Sequence, residues 1–204
     1  MDITWGSIEL NLLKSMAASL LFMGLAYGGS ALFHRFRPAK GYPEGLLIPW
    51  RWSTDMVGQG IVLGVGIYGT VTFLGALIFW IFPGPEHPIQ HLFREGAVNS
   101  VQLVLLFLAV AVVAPVTEEC FFRGFLLPAM DQRWGEGIAS HLAALLFAAM
   151  HLDPYRFVPL YAAGYMLNRG ALRTGSIVPA VVAHALWNLT GFILIWISSW
   201  GGIR

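Results

Sequence analysis

Residues 57–82 run for twenty-six positions without one Asp, Glu, Lys or Arg. That exceeds the roughly 20 apolar residues an α-helix needs to cross a hydrocarbon layer about 30 Å thick. Residues 9–33, 98–116 and 176–200 form further long, largely apolar stretches, and 138–152 and 157–168 form two shorter ones. Between them, charge is scarce. Charged residues make up 11% of the chain and hydrophobic ones 57%, whereas about a quarter of a soluble domain is charged. A deficit spread along the whole chain means the outer surface faces something apolar. The sequence therefore predicts an all-α, polytopic transmembrane bundle of about six to seven helices around a buried polar cavity, with the lipid bilayer as its first partner.

The whole chain, 1–204, reads as a single transmembrane domain. Residues 1–97 supply N-terminal helices and an amphipathic interfacial loop, and 98–200 the helices that carry the polar motifs. Acidic Asp2 and Glu9 and the length of the first apolar stretch suit a retained helix, not a removed signal. The loop 34–56 mixes Arg35, Arg37, Lys40 and Arg51 with Tyr42, Trp50 and Trp52, a composition suited to a membrane surface. With Arg133, Arg169 and Arg173, seven basic residues fall on that side, against Arg94, Arg156 and Arg204 opposite, which predicts that both termini face away from the cytoplasm. The shorter stretches need tilt or neighbours to span, and the third span is expected to end at Pro115, with a separate Glu-rich helix over 117–130. Gly60, Gly64, Gly66 and Gly69 either permit close helix packing or reflect how common glycine is in membrane helices. The net charge of +1 gives no sign of a nucleic-acid partner, and the lone Cys120 excludes an intramolecular disulfide.

Charges inside membrane helices are costly and usually functional. Three clusters qualify. In the first, Glu118-Glu119-Cys120-Phe121-Phe122-Arg123, Glu119 and Arg123 are four apart and can pair on a helix. Glu118 is rotated about 100° from Glu119, so one carboxylate can be neutralised while its neighbour stays free to take a proton. The bland alternative is a solvated helix end with an ordinary salt bridge. In the second, Phe147-Ala148-Ala149-Met150-His151, His151 closes an apolar run; alone it reads as an interfacial cap. In the third, His184 and Asn188 share one helical face well inside the last span. They need polar partners there, with Glu118 and His151 as candidates, although simple interhelical hydrogen bonding would also explain them.

A carboxylate, two imidazoles and an amide suffice for water-mediated peptide hydrolysis. Glu118 assisted by His151 could activate water and then protonate the leaving amine, with His184 and Asn188 stabilising the oxyanion. Glu118, His151 and His184 could instead hold a zinc ion with an open position. Elsewhere the polar residues read as structural. His87 and His91 lie in a Pro-rich loop, His141 could cap a span, and Cys120 suits a small packed side chain.

The ordered Glu-Glu-x-x-x-Arg, Phe-x-x-x-His and His-x-x-x-Asn motifs resemble those of the CAAX prenyl protease and bacteriocin-processing family, over about residues 98–200. The resemblance implies an intramembrane endopeptidase of the glutamic type or a metalloprotease, in a bacterial or archaeal cytoplasmic membrane. It implies Glu118 and His151 as the catalytic pair, His184 and Asn188 as transition-state stabilisers, and Glu119 and Arg123 as supporting residues. The substrate would be a membrane-anchored protein or peptide cut near its C-terminus or leader. At 204 residues the chain is similar to compact members thought to process C-terminal sorting signals. No cofactor is expected on this reading, the chain having no His-Glu-x-x-His zinc motif, although zinc is an alternative. A non-catalytic immunity or adaptor protein of the same fold is the main competing function. A proton-relay transporter would show internal repeats, and none is visible.

Overall fold

The computed structural model describes residues 5–36, 47–84 and 98–200. These residues form six helices and no strand: α1 (Trp5–Phe36), α2 (Thr54–Ile81), α3 (Ser100–Trp134), α4 (Glu136–Met150), α5 (Phe157–Thr174) and α6 (Val178–Trp200). Stretches within α1, α2, α3 and α6 are long and apolar enough to cross a bilayer. Their outward faces carry Leu20, Val62, Phe73 and Trp80, each more than two-thirds exposed. A surface of this kind is stable only against hydrocarbon, so the protein is an integral membrane protein. His87 and His91, with Arg37, Lys40 and Tyr42, lie outside the described residues.

Local chemistry sets the helix ends. The Ser53 side chain accepts from the Met56 N–H to begin α2. Asn99 and Gln102 exchange side chain-to-backbone hydrogen bonds of 2.9 and 3.0 Å, a capping box that begins α3. Gly135 (φ +80°) separates α3 from α4, and Gly175 (φ +62°) ends α5 in the left-handed conformation that glycine adopts without strain. The fifth helix thus runs to Thr174, past the expected end at 168. Arg169 does not break it, because its guanidinium pairs with Glu136 at the start of α4.

Pro115 does not end the third helix either. Residues Ala109–Val113 widen into a π-helical turn in which the Ala114 N–H reaches Ala109 O. In that register the next donor would reach Val110 O, but residue 115 is proline and has none. The wider turn carries the helix past the ring and leaves Val110 O free. A second π-turn, Phe122–Leu126, precedes Pro128 in the same way, and Gly124 O there accepts from the Ile48 N–H at 3.1 Å. The expected third span and Glu-rich helix are therefore one continuous helix, with the Glu-Glu pair between two π-turns. Such turns recur at functional sites.

The loop before α2 enters the bundle. Leu47 and Ile48 are buried, Arg51 N donates to Ser176 Oγ, and Ile177 N donates to Pro49 O. These bonds place the α1–α2 and α5–α6 connections on one side. The Arg169–Glu136 pair adds the start of α4 to it.

The glycines of α2 divide cleanly. A Cβ at Gly60 would sit 2.6 Å from Val182 Cβ, and one at Gly64 3.1 Å from backbone atoms of Ala183, whereas Gly69 faces open space. Close packing of α2 on α6 therefore explains Gly60 and Gly64, but not Gly69. Gly60→Ala is expected to destabilise the protein by about 1–3 kcal/mol through overpacking. Gly69→Ala is expected to be neutral or to stabilise by up to about 1 kcal/mol through helix propensity. Thermal unfolding in mild detergent compares the two.

Candidate active site

The three motifs fall on α3, at the end of α4 and on α6, and they meet around one buried ion pair. Glu119 and Arg123, one turn apart on α3, are both completely buried, with Arg123 Nη1 donating to Glu119 Oε1 at 2.8 Å. The guanidinium is satisfied on its other edges. Arg123 Nε donates to Asn168 Oδ1 and Nη2 to Gly164 O, each at 2.9 Å, while the Phe147 ring centroid lies 4.7 Å away. Asn168 Nδ2 in turn donates to Ser140 O at 2.8 Å. A buried charge pair needs its remaining donors met; α5 supplies both further acceptors for Arg123, and α4 holds Asn168 in place through the Ser140 carbonyl.

His184, also buried, brings α6 into the network through a 2.7 Å contact between Nδ1 and Glu119 Oε1. An ionised carboxylate only accepts, so Nδ1 carries the proton and Nε2 is the ring atom left for other chemistry. At the end of α4, His151 Nδ1 donates to Phe147 O at 2.8 Å, which likewise leaves Nε2 free. Phe147 sits against both rings, with centroids 4.9 Å from His151 and 5.8 Å from His184. His151 itself is exposed, at the mouth of the network.

The two adjacent glutamates differ sharply. Glu119 Oε1 accepts from both Arg123 and His184. Glu118 makes no hydrogen bond or ion pair among the described residues, and its Oε2 is buried. Glu119 Oε2 is also buried without a hydrogen-bond partner, and such an acceptor costs about 1–3 kcal/mol; what sets Glu118 apart is that no hydrogen bond among the described residues reaches either of its oxygens.

One expectation changes here. Glu118 and His151 are not the polar partners of the third motif: His184 pairs with Glu119, and Asn188 Nδ2 donates to Val110 O at 2.9 Å. Asn188 thus meets the carbonyl that Pro115 leaves free. Its replacement by Leu is expected to cost about 1–3 kcal/mol for the stranded acceptor. Pro115→Ala restores a backbone donor, so the double variant should lose less than the sum of the two single changes. Strict additivity in thermal unfolding would contradict this assignment. No cluster of three His, Cys, Asp or Glu side chains close enough to hold a metal occurs among the described residues, and the contact of His184 Nδ1 with Glu119 leaves Nε2 as the open ring atom.

Motif reading missed Asn168, Gly164 and the Ser140 carbonyl. An asparagine inside an apolar stretch was the available signal. The remaining histidine and cysteine have structural places. His141 does not cap α4 but packs between Tyr161 and Tyr165, and Cys120 is buried beside Ala26, Ile48 and Ile177. In the loop after His151, Asp153 accepts from the backbone N–H groups of Tyr155 and Arg156 and from the Arg156 side chain. Partial burial pushes its carboxyl up, but the Arg156 hydrogen bonds and charge outweigh this and hold it below the usual range.

Residues 100–190 match the family model described as type II CAAX prenyl endopeptidase Rce1-like. Residues 100–190 are thus similar to the Rce1-like endopeptidases, over a little less than half of the chain. The match covers all three motifs and every side chain of the ion-pair network, and it agrees with the resemblance those motifs carry. The chain is also similar to an uncharacterized 24.3 kDa protein of Escherichia coli, with 26% identity over 153 residues. That alignment covers 72% of this chain and 64% of the relative, so the chain spans less than two thirds of the relative's length. No solved structure matches it.

Proposed function

We propose that this chain is an intramembrane endopeptidase that hydrolyses a peptide bond of a membrane-anchored protein or peptide, near its C-terminus or leader. Glu118 and His151 activate the water. The observation that carries this reading is the division of labour between adjacent carboxylates: Glu119 is held by Arg123 and His184, whereas Glu118 is half-buried and unpaired. A carboxylate that no hydrogen bond holds, acted on by Arg123 only through its charge, is suited to taking a proton from water.

Glu118 takes a proton from water as its oxygen adds to the scissile carbonyl, with His151 Nε2 accepting a hydrogen bond from the same water. The tetrahedral oxyanion is met by His184 Nε2 and by the second Asn188 Nδ2 hydrogen, the first being used on Val110 O. For Nε2 to donate, the His184 ring must carry both protons, and Glu119 is the counter-ion on its Nδ1 side. The Glu118 carboxylic acid then protonates the leaving amine, the C–N bond breaks, and the carboxylate is regenerated. No step passes through a metal. Arg51, Arg133, Arg169 and Arg173 support placing the side that carries them in the cytoplasm of a bacterial or archaeal cell.

The test is co-expression of the chain with candidate membrane-anchored substrates and mass spectrometry of the products, with and without chelator. A shortened product that survives chelation supports the reading. A product abolished by chelator and restored by zinc moves the mechanism to a metalloprotease. If no candidate is shortened in a host where both partners are membrane-inserted, the adaptor reading takes its place.

A further inference from the structure

Away from the ion-pair network, α2, α5 and the start of α6 enclose a groove of about 840 Å³. None of the motif residues lines it. Its two long walls grade from charged to apolar in the same direction. Along α2 the lining runs Asp55, Gln59, Leu63, and along α5, which runs antiparallel, it runs Arg173, Arg169, Met166. Residues spaced by three or four share one helix face, so each wall presents its charge at the mouth and hydrocarbon at depth. Eight residues from Asp55 to Leu63 rise about 12 Å, whereas the polar layer of one leaflet is only about 6 Å thick. The groove therefore starts among headgroups and ends among acyl chains.

The charges at the mouth are available. Arg169 is engaged by Glu136, but neither Arg173 nor Asp55 has an ion-pair partner among the described residues. A cation and a carboxylate facing one groove without pairing complement a ligand that carries both signs. We propose that this groove binds one zwitterionic phospholipid of the phosphatidylethanolamine type. Its phosphate lies at Arg173, its ammonium at Asp55, and an acyl chain runs past Leu63 and Met166. Phosphatidylcholine offers the same charges but no N–H donor for Asp55. Phosphatidylglycerol offers Arg173 its phosphate but nothing for the carboxylate. The inference does not depend on hydrolysis.

The experiment is native mass spectrometry of the delipidated full-length protein in mild detergent, with equal amounts of the ethanolamine, choline and glycerol lipids. One ethanolamine lipid should be retained preferentially. Arg173→Ala and Asp55→Asn should each lower its occupancy by about tenfold, the loss of one charge-assisted contact. Lys14→Ala, on α1 and outside the groove, should leave it unchanged. Both groove residues are exposed, so melting of the lipid-free variants should match the wild type and confirm folding. Equal retention of the three lipids would overturn the proposal. So would occupancy indifferent to both substitutions.

Discussion

Arg123→Met is expected to destabilise the protein by about 3–5 kcal/mol, the cost of leaving one member of a buried ion pair without the other. The side chain is fully buried and donates to Glu119, Asn168 and Gly164, while its face lies on Phe147. Methionine fills much of the volume but satisfies none of these acceptors. Glu119 would retain only the His184 contact in a low-dielectric setting. Adding Glu119→Gln to Arg123→Met removes the unpaired charge and should recover part of the loss. Tryptophan-monitored unfolding in detergent measures both. A change below about 1 kcal/mol for Arg123→Met would match an exposed salt bridge and contradict the buried network.

Glu118→Gln is expected to behave in the opposite way. No hydrogen bond or ion pair among the described residues is lost, only an electrostatic attraction to Arg123 that the relief of a half-buried charge offsets. Stability should therefore stay within about 0.5 kcal/mol of the wild type. Hydrolysis should fall by about 10²–10⁴-fold, the usual contribution of a positioned general base. The amide keeps the shape of the carboxylate but cannot take the proton from water. Product formation per folded protein, measured by mass spectrometry with the unfolding midpoint as control, separates this result from a folding defect.

Much of this architecture was legible because lipid leaves few solutions. Uncharged stretches such as 57–82 fix helix number and rough placement, and four-residue spacing fixes the Glu119–Arg123 pair. Proline was misleading. Pro115 reads as a helix end because it lacks a donor and crowds the preceding turn, but a π-turn relieves the crowding and Asn188 takes the orphaned carbonyl. Neither compensation is local in sequence. The partner of His184 was hidden for a related reason. Spacing shows that Glu118 and Glu119 point differently, yet which of them faces α6 depends on how α3 is rotated, and the first π-turn, which Asn188 of α6 meets at Val110 O, precedes them and contributes to that. Asn168 lies far from every motif in sequence and joins them only through tertiary packing.

The most direct test of the account compares Glu118→Gln with Glu119→Gln in the same membrane preparation, reading product formation and unfolding midpoint for each. The account predicts that Glu118→Gln keeps the midpoint and loses the product. Glu119→Gln should lower the midpoint, because it leaves Arg123 without its counter-ion. The reverse pattern, with Glu118→Gln unstable or still active and Glu119→Gln stable but inactive, would contradict it and assign the proton-transfer role to the carboxylate held by Arg123.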